Sequence, residues 1–420
     1  MEREMKDSGI EWIGEIPETW NIVRGKYLLI LLSKPVKEND GVITCFRDGE
    51  VTLRSNRRED GFTMSDKEIG YQGVDVGDLV VHGMDGFAGS IGISDSRGKA
   101  SPVLNVLDTK QNRKYIMYYL RSMAYNNVFT ALATGIRVRS CDLRWNKLAE
   151  LFYLIPLLQE QNKIADYLDK KCAEIDSLSM DIQTQISILE DYKKSVITEA
   201  VTKGLNPDVE MKDSGIEWIG EIPSDWKITH FKYVGTVKSN LVNVSLYQDY
   251  PQISPDNIAK DSGILLEYNT VEEAGVISDN HLFYKGQILY SKIRPKLNKA
   301  IIAPFDGLCS ADMYPIETKE CSKFVLYMIL SQYFFKQVTL VTEDRVKMPK
   351  INQEELGKIN VVWPTRKRQE DIAKYLDSKC SEINGAIEDK QKQLEVLEQY
   401  KKSLIYEYVT GKREVPDNNG

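Results

Sequence analysis

The sequence predicts an α+β protein in which two α/β domains form an internal tandem repeat, separated by two long, antiparallel, coiled-coil-like helices with a pseudo-two-fold relation. Three observations predict this fold class. The chain repeats itself, each repeat ends in a long segment of helical composition, and the region before each such segment contains short β-type runs. With 420 residues, the chain is long enough for about two to four folding units.

Repeated blocks divide the chain into two copies of one unit. Residues 5–17 read MKDSGIEWIGEIP, and residues 211–223 read the same letters 206 residues later. A second block, IADYLDKKCAEI at 164–175, returns as IAKYLDSKCSEI at 372–383. An internal repeat of this kind decides how the whole fold is interpreted. Because the middles of the two copies share little, the repeat predicts one scaffold that presents two different surfaces.

Each repeat ends in a segment that predicts one long helix. From residue 159 to about residue 202 there is no Pro or Gly, and apolar residues recur every seven positions. The second segment, from about residue 368 to 410, keeps this register, although Lys390 interrupts it and Gly385 weakens it. Gly204 and Gly411 stand where helix C-caps are expected. The predicted helix-packing residues are Leu168, Ile175, Ile182, Leu189, Val196, Leu376, Ile383, Leu397 and Leu404.

The seven-residue period predicts an apolar seam of the kind that coiled coils bury. At 1.5 Å per residue, about 43 helical residues make a rod of roughly 60 Å. One such rod cannot bury its seam alone. The simplest partner is the equivalent helix of the other repeat, in an antiparallel pair within the chain, and pairing between two chains is the alternative.

These features divide the chain into five parts. A first variable domain covers residues 1–158, a second covers residues 205–367, the helices cover 159–204 and 368–411, and a tail covers 412–420. Short β-type runs bounded by Gly, Pro and Asp predict strands at 73–81, 286–291 and 300–304. Amphipathic or buried helices are predicted at 114–124 and 323–335.

Composition excludes several classes of protein. The 55 Lys and Arg against 62 Asp and Glu give a net charge of −7, which excludes a uniformly basic clamp for a polyanion. The acidic start of the chain lacks a secretory signal, and no long apolar run predicts a membrane span. The six cysteines form no CxxC pair and the three histidines form no HExxH motif. We therefore expect no metal site, no catalytic residues and a reducing cytoplasmic location.

Three features together resemble the specificity subunits of type I restriction-modification systems. They are the duplicated MKDSGIEWIGEIP block, the helix starts EQNKIADYLDKK and RQEDIAKYLDSK, and the junction GLNPDVEMKDSGIEWIG at 204–220. The resemblance covers nearly the whole chain. It implies that the variable parts are target recognition domains, each reading one half of a bipartite double-stranded DNA target, and that the helices set their spacing and dock partner subunits.

The resemblance also implies the partners and their cofactors. Two methyltransferase (modification) subunits would methylate adenine with S-adenosylmethionine, and restriction/translocase subunits would join the same assembly. ATP and magnesium are expected on those partners as well. The chain itself is then expected to be a non-catalytic subunit without a cofactor and without membrane association.

The densest basic stretch of the chain, residues 285–299, contains no acid. Pro295 is expected to hold the region of Arg294 extended, so that its guanidinium faces guanine or phosphate. On charge alone a solvated loop is equally compatible. The resemblance favours DNA contact, and a second basic cluster follows in the same domain. The candidates are Lys285, Lys292, Arg294, Lys296 and Lys299, and then Arg345, Lys347 and Lys350.

The first domain offers donor-rich side chains in two places. The segment LRSNRRED has several, but Glu59 and Asp60 follow them, so local ion pairing is an equal alternative to DNA contact. The run at residues 82–92 has a glycine at every third position but lacks the GxGxxG pattern of a dinucleotide site. A flexible loop that approaches a DNA backbone is one interpretation, and glycines of strands and turns are the favoured one. The candidate DNA-binding residues are Arg54, Asn56, Arg57 and Arg58, and then Arg137 and Arg139.

The four duplicated tryptophans, Trp12, Trp20, Trp218 and Trp226, are predicted to be packing anchors rather than stacking platforms. Two other functions stay open. A coiled-coil adaptor with two protein-binding domains would fit the same repeat, and salt dependence separates it from DNA binding. A nuclease acting through PDVEMK at 207–212 is disfavoured because its motif pieces normally lie on separate strands.

Overall fold

The computed structural model describes residues 3–57, 69–131, 143–344 and 349–416. These residues form two compact units. Unit 1 comprises Met1–Ile182 with Lys392–Gly420, and unit 2 comprises Gln183–Gln391. Both units mix helices with short strands, so the predicted α+β tandem class is confirmed. Elements are numbered in chain order.

Two antiparallel strand pairs involve the first residues of unit 1. β1 (Met5–Asp7) and β2 (Glu15–Pro17) form an antiparallel hairpin. β3 (Asn21–Arg24) pairs with β12 (Phe152–Ile155), which joins the start of the domain to its end. The short helix α1 (Gly25–Leu28) follows β3.

The central sheet of unit 1 is antiparallel, with the strand order β4–β11–β8–β9. Its strands are β4 (Leu29–Leu31), β8 (Leu79–His82), β9 (Ile91–Ile93) and β11 (Leu104–Thr109). Two small ladders flank it, made of β5 (Ile43–Cys45) with β6 (Val51–Leu53) and of β7 (Gln72–Val74) with β10 (Gly98–Ala100). The helices are α2 (Arg113–Tyr125), α3 (Val128–Ala131) and α4 (Trp145–Glu150).

Helix α2 lies at the centre of the unit 1 core. The side chain of Asn112 caps it by accepting a hydrogen bond from the Tyr115 N–H at 3.0 Å. Tyr115 and Tyr119 are fully buried, and the hydroxyl of Tyr115 donates to the Leu154 carbonyl at 2.8 Å. Because a buried hydroxyl needs such a partner, this bond fixes α2 against β12.

Unit 2 repeats the closing strand pairs of unit 1. β13 (Met211–Asp213) pairs with β14 (Glu221–Pro223), and β15 (Lys227–His230) pairs with β25 (Asn360–Trp363). A four-stranded antiparallel sheet has the order β16–β24–β21–β22. Its strands are β16 (Thr236–Val237), β21 (Ile288–Ser291), β22 (Ala300–Ile302) and β24 (Met313–Glu317).

A second sheet of unit 2 has five strands in the order β17–β20–β23–β18–β19, and its β18–β23 pair is parallel. The strands are β17 (Leu241–Val242), β18 (Pro251–Ile253), β19 (Asn269–Thr270), β20 (Asn280–Phe283) and β23 (Gly307–Cys309). The helices are α6 (Ser322–Leu330), α7 (Gln332–Thr342) and α8 (Gln353–Lys358).

The prediction of one helix at 323–335 is wrong, because the helix is interrupted at Ser331, between α6 and α7. This residue is extended, with φ −70° and ψ 154°, and its hydroxyl donates to the Met328 carbonyl at 2.6 Å. A serine that bonds to the preceding turn offers the backbone an alternative to helix continuation. Within the described ranges no single helix is long and apolar enough to cross a membrane. Taken together, α6 and α7 have that length and apolar composition, but the pair is bent by 58° between the two helices.

The two long helices are α5 (Leu158–Lys203) and α9 (Arg366–Val409). In unit 1 they are antiparallel, since Tyr167 packs on Tyr408 and Lys401 donates to Asp176 at 2.6 Å. In unit 2 the two helices are also antiparallel. There Lys193 donates to Asn384 at 2.9 Å, and Lys390 donates to Gln185 at 2.5 Å. The seam is therefore buried within the chain.

The predicted seam is largely buried. Leu189 and Leu397 are the exceptions, since both are partly exposed. Ile186, which lies outside the seven-residue period, is buried instead. The buried predicted residues are Leu168, Ile175, Ile182, Val196, Leu376, Ile383 and Leu404.

Glycine ends each long helix, as predicted. Gly204 and Gly411 have positive φ angles of 79° and 72°. At Gly411 a side chain would also collide, because a Cβ there would lie 2.4 Å from Cδ of Pro17. The leading segment of unit 1, which contains β1 and β2, is thus in direct contact with the end of α9.

Buried tryptophans confirm the predicted packing anchors. Trp20 and Trp226 are 0% and 1% exposed, and the indole N–H of Trp20 donates to Glu160 at 3.2 Å. Trp12 and Trp218 are partly buried against the cores of their units. The tryptophans therefore attach each leading segment to its domain and helix.

A buried glutamine links each long helix to its domain. Gln161 is fully buried, accepts from the N–H of Asn112 at 3.0 Å and donates to the carbonyl of Pro156 at 2.9 Å. Gln369 makes the equivalent bonds in unit 2, to Cys321 and Pro364. Because both amide groups are satisfied in each unit, the repeat has kept a complete polar contact in its core.

Candidate nucleic-acid interface

Equivalent β-hairpins carry the candidate site in the two units. The β8–β9 hairpin of unit 1 and the β21–β22 hairpin of unit 2 pair in the same register, 209 residues apart. Their connections are the first hairpin loop, residues 83–90, and the second hairpin loop, residues 292–299. The loop that the sequence predicts as strand and turn glycines in unit 1 is thus the structural counterpart of the basic stretch in unit 2.

Both hairpin loops are held by the same backbone bonds. The N–H of Gly83 donates to Val103 at 2.8 Å, and the N–H of Lys292 donates to Asp312 at 3.0 Å. The carbonyl of each of these residues accepts a bond from the chain that returns later in the domain. Leu143 is the donor in unit 1 at 2.8 Å, and Ile351 is the donor in unit 2 at 2.9 Å.

The second hairpin loop lies beside Lys350, the one described cation of the second basic cluster. The N–H of Arg294 donates to the Pro349 carbonyl at 2.9 Å, and Ile293 forms a β-bridge with Lys350. Lys350 is exposed beside this loop. Arg345 and Lys347 of the second cluster lie outside the described residues.

The expectation that Pro295 holds Arg294 extended is wrong. Arg294 has the left-handed conformation, with φ 45° and ψ 56°, and Pro295 begins a short 3₁₀ turn. A residue before proline is disfavoured in the right-handed helical region. The bond to Pro349, together with the bond from the Leu297 N–H to the Arg294 carbonyl at 2.8 Å, selects the left-handed region instead.

The cations of the second hairpin loop divide into anchored and exposed groups. Lys299 donates to the Pro255 carbonyl at 2.7 Å, and Lys292 lies over the Tyr314 ring at 5.3 Å from its centroid. The exposed cations of the stretch are Lys285, Arg294 and Lys296. Among the described residues, the charged groups of these three side chains have no hydrogen-bond or ion-pair partner. Arg294 and Lys296 are therefore available to a ligand.

The loop that carries these exposed cations is fixed by its interior. Pro295 and Asn298 are buried, and the side-chain amide of Asn298 donates to the Leu330 carbonyl at 3.4 Å. Asn298 also has a positive φ of 42°. A loop anchored in this way presents its cations in one geometry, which lowers the ordering cost of binding.

The first hairpin loop has the opposite charge at the matching position. Asp85 stands where unit 2 has Arg294, and its carboxylate pairs with Arg47 at 3.1 Å. The N–H groups of Met84 and Asp85 donate to Nδ1 of His82 at 3.2 and 3.0 Å. Two matched loops therefore present unlike surfaces, as the repeat predicted.

A cleft of about 620 Å³ lies beside the first hairpin loop. It brings together two predicted residues, Arg54 and Arg57, with three that the sequence analysis missed, Arg47, His82 and Asp85. The 209-residue offset between the hairpins is the sequence signal that matches Asp85 to Arg294, and it does not extend to Arg47. Arg58, Arg137 and Arg139 lie outside the described residues.

Ion pairing holds the arginines of this cleft. Arg57 pairs with Asp48 at 2.7 Å and with Glu50 at 3.0 Å, and it lies over the Phe46 ring at 4.3 Å. Arg54 donates to the Thr44 hydroxyl at 3.3 Å. Arg57 is therefore paired with two acids that precede it in the chain. Glu59 and Asp60, the partners that the sequence suggests, lie outside the described residues.

One further predicted donor of unit 1, Asn56, also has an internal partner. Its side-chain amide donates to the hydroxyl of Thr52 at 2.9 Å. A ligand that binds Asn56 must therefore compete with this bond.

Titration states follow from these contacts. Burial is the largest influence on the pKa of Asp48 and would raise it, but the hydrogen bond and charge of Arg57 and the hydrogen bond from the Glu50 N–H together hold that pKa below its usual value. Burial lowers the pKa of His82, which agrees with its role as a neutral acceptor of two N–H bonds. Burial also raises the pKa of the Cys45 thiol to about 12. At neutral pH the cleft therefore presents charged arginines beside a neutral imidazole and thiol.

Nothing in the described ranges gathers three or more His, Cys, Asp or Glu side chains that could hold a metal ion. The PDVEMK segment leads into β13, where Lys212 donates to the Ser224 carbonyl at 2.7 Å. The chemistry that the described candidate residues can perform is hydrogen bonding and charge pairing with bases and phosphates.

Comparisons with known proteins find similar families, chains and folds. The model of the type I restriction modification DNA specificity domain matches residues 223–396. The EcoDI specificity subunit of Escherichia coli is 30% identical over 267 residues, which cover 58% of this chain and 60% of that relative. The chain thus matches less than two thirds of that relative's length. The putative MjaX specificity subunit of Methanocaldococcus jannaschii is 25% identical, with 95% of each chain covered.

A solved structure has the same fold. It is a chain of a type I R-M system studied for complex assembly and conformational transition, and it matches with a TM-score of 0.68. The match covers 95% of this chain and 99% of that chain at 12% identity. At that identity the similarity concerns the fold alone.

Proposed function

Because the chain belongs to the family of type I restriction-modification specificity subunits, we propose that it is the sequence-specific DNA-binding subunit of such a complex. Each unit reads one half of a bipartite double-stranded target. The subunits that bind this chain carry out adenine methylation and restriction at the site it selects.

The contrast between the two hairpin loops carries this proposal. Arg294 and Lys296 are exposed in the second loop, whereas the matching position of the first loop is Asp85, paired with Arg47. A protein that reads two unlike half-sites needs one scaffold with two unlike recognition surfaces. Phosphate contacts position such a surface and base contacts specify the sequence.

The exposed guanidinium of Arg294 suits a bidentate contact with guanine, and the cleft beside the first loop supplies arginines already oriented by carboxylates. A carboxylate that holds an arginine in one direction can give up that partner to a phosphate or base edge. Base recognition by unit 1 would then involve exchange of ion pairs, whereas Arg294 in unit 2 has no described side-chain partner to exchange.

The partners and cofactors form part of the proposal. Two methyltransferase subunits bind the chain and use S-adenosylmethionine, and restriction/translocase subunits use ATP and magnesium. The chain itself is non-catalytic and works with them in the cytoplasm. Its net charge of −7 fits this division, because a polyanion needs further cations for tight binding and the assembly supplies them.

The coiled-coil adaptor is the weaker alternative, because the family model and the named relatives are DNA specificity domains and subunits. Binding through several phosphates weakens steeply as salt rises, whereas an apolar protein interface does not. A salt titration of duplex binding by the assembled complex therefore separates the two functions.

Mapping of modified adenines is the direct test of the proposed function. The full chain is co-expressed with modification subunits in a host that lacks adenine methylation, and genomic adenines are sequenced for modification. We expect methylation at one split sequence, with two specific parts separated by unread base pairs. Methylation without sequence preference, or equal methylation when this chain is omitted, would contradict the proposal.

A further inference from the structure

Unit 2 contains a cleft of about 670 Å³ that Arg294 does not line but that shares two residues, Lys296 and Asn298, with the second hairpin loop. Four lysines and two acids line it, together with aromatic, aliphatic and neutral polar side chains. The charged residues are Lys194, Lys260, Lys296, Lys336, Asp261 and Glu343. The surplus of cations favours an anionic ligand.

A difference between the repeats accompanies this cleft. In unit 1, the ring of Tyr406 lies 6.2 Å from the ring of Trp12, and its hydroxyl donates to the Trp12 carbonyl at 3.1 Å. The residue at the matching position of unit 2 is Thr198, and the counterpart of Trp12 is Trp218. Both Thr198 and Trp218 line the cleft. The smaller side chain thus leaves space where unit 1 has a packed tyrosine.

The cleft wall also contains polar groups without partners. Among the described residues, neither the indole N–H of Trp218 nor the hydroxyl of Thr339 has a hydrogen-bond partner, although both atoms are buried. An unpaired buried polar group is costly and needs an explanation. Both groups are hydrogen-bond donors, and both residues line the cleft.

The cations of the cleft are weakly engaged. Lys336 lies 5.9 Å from the centroid of the Trp218 ring, and Lys260 has only its neighbour Asp261, at 3.9 Å, as a described ion-pair partner. Lys296 has no side-chain partner among the described residues. Donor groups and free cations in one concave site match the chemistry of a phosphate.

We propose that this cleft binds a backbone phosphate of the DNA that the second hairpin loop contacts. The inference rests on the proposed function and adds Lys260, Lys336 and Trp218 to the DNA contacts of unit 2. Lys296 connects the two sites, because it lies two residues from Arg294 and lines the cleft. This continuity favours DNA over an acidic segment of a partner protein.

Salt dependence of DNA binding tests this proposal. The full chain, assembled with its modification subunits, is titrated with a duplex that carries the mapped target over a range of salt concentrations. The slope of log K against log salt is negative, and loss of one phosphate contact reduces its magnitude by about 0.9. We expect that decrease for the Lys260→Ala/Lys336→Ala variant and also for Thr198→Tyr, which fills the space without removing a charge.

The matched control is Lys227→Ala/Lys319→Ala, which removes two exposed lysines of unit 2 that do not line the cleft. This variant should keep the wild-type slope. A slope that is unchanged in both cleft variants, or that falls equally in the control, overturns the proposal.

Two other outcomes also overturn it. If the cleft variants lose modification subunits while the slope of the remaining complex is unchanged, the cleft binds protein. If inorganic phosphate stabilises the wild type but not the cleft variants, and the slope is unchanged, the site binds a free anion. Failure of the proposed function has a different result, since the wild-type complex would then show neither salt-dependent duplex binding nor a split methylation target.

Discussion

At the scale of single residues, Arg294 has a backbone conformation that its side chain disfavours. A left-handed conformation costs an L-residue about 1 to 2 kcal/mol, and Arg294 has no compensating side-chain contact among the described residues. Strained conformations of this kind concentrate at functional sites. This strained conformation places the guanidinium on an anchored loop, where it is exposed to a ligand.

Replacing Arg294 with glycine separates the cost from the benefit. We expect Arg294→Gly to change the free energy of unfolding by less than about 1 kcal/mol, because relief of the strained φ offsets the added freedom of the unfolded chain. The same variant should bind the mapped target about 5 to 150 times more weakly, the range for one strong base contact. Urea unfolding and duplex titration measure the two effects.

Arg294→Ala is the matched variant, since it removes the guanidinium and keeps the strain. It should lose the same binding without any gain in stability. Wild-type target affinity in both variants would remove Arg294 from the recognition surface, and weakened binding with a large loss of stability would assign it a structural role instead.

Some residue roles could be predicted from the sequence and others could not. The duplicated Trp20 and Trp226 were predicted as packing anchors because identical residues in identical segments serve one scaffold. The conformation of Arg294 depends on its bond to Pro349, more than fifty residues away, which no local pattern reveals. Arg47 was missed because its partner Asp85 is also distant in sequence.

At the scale of elements, matched polar pairs connect the long helices in the two units. Lys401 pairs with Asp176 in unit 1, and Lys193 donates to Asn384 in unit 2. Lys193 is only 8% exposed, and burial lowers its pKa. The partner of Lys193 is a neutral amide, which stabilises the charged form of this lysine less than a carboxylate would.

The substitution Asn384→Asp gives unit 2 the pair that unit 1 has. We expect the added carboxylate to raise the pKa of Lys193 and to increase the free energy of unfolding at neutral pH by up to about 1 kcal/mol. Urea unfolding at pH 7 measures it. The reciprocal variant Asp176→Asn should lose a similar amount in unit 1, and a loss of stability in Asn384→Asp would show that desolvation of the new carboxylate dominates.

Helices were predictable to different degrees. The long helices α5 and α9 follow from a seven-residue period, which is a local signal repeated many times. The break between α6 and α7 was missed because Ser331 is neither proline nor glycine, and its effect comes from a hydroxyl bond to the preceding turn. The short strands of the variable regions lack enough residues for a strong periodic signal.

At the scale of the whole molecule, the internal repeat was the most informative feature of the sequence. It predicted the tandem class because two copies of one sequence fold alike. It assigned one long helix to each repeat, whereas the compact units of the structure divide both helices, so that each long helix contributes residues to both units. The core of unit 1 accordingly includes residues from the end of α9, which are Leu404, Ile405, Tyr408 and Val409.

Truncation after Gln391 tests this division. It removes the four α9 residues from the unit 1 core, and each large buried apolar side chain contributes about 1.5 to 3 kcal/mol. The loss is comparable with the whole stability of a domain, about 5 to 15 kcal/mol. We expect residues 1–182 to become protease-sensitive while residues 183–391 resist digestion, as followed by limited proteolysis with mass spectrometry.

A chain that ends at Pro416 is the control for this truncation and should resist digestion in both units. Protease resistance of residues 1–182 in the chain that ends at Gln391 would contradict the assignment of the α9 residues to the unit 1 core.

The composition of unit 1 also has a consequence for protein synthesis. Its first strand leaves the ribosome before any part of unit 2, and the α9 residues of its core leave after all of unit 2. Unit 2 has its complete sequence once residue 391 has emerged, so it is the first unit able to finish folding. Until the end of α9 has also emerged, the nascent unit 1 carries an uncovered apolar surface around Tyr115, whose hydroxyl contacts the carbonyl of Val409 in the finished protein.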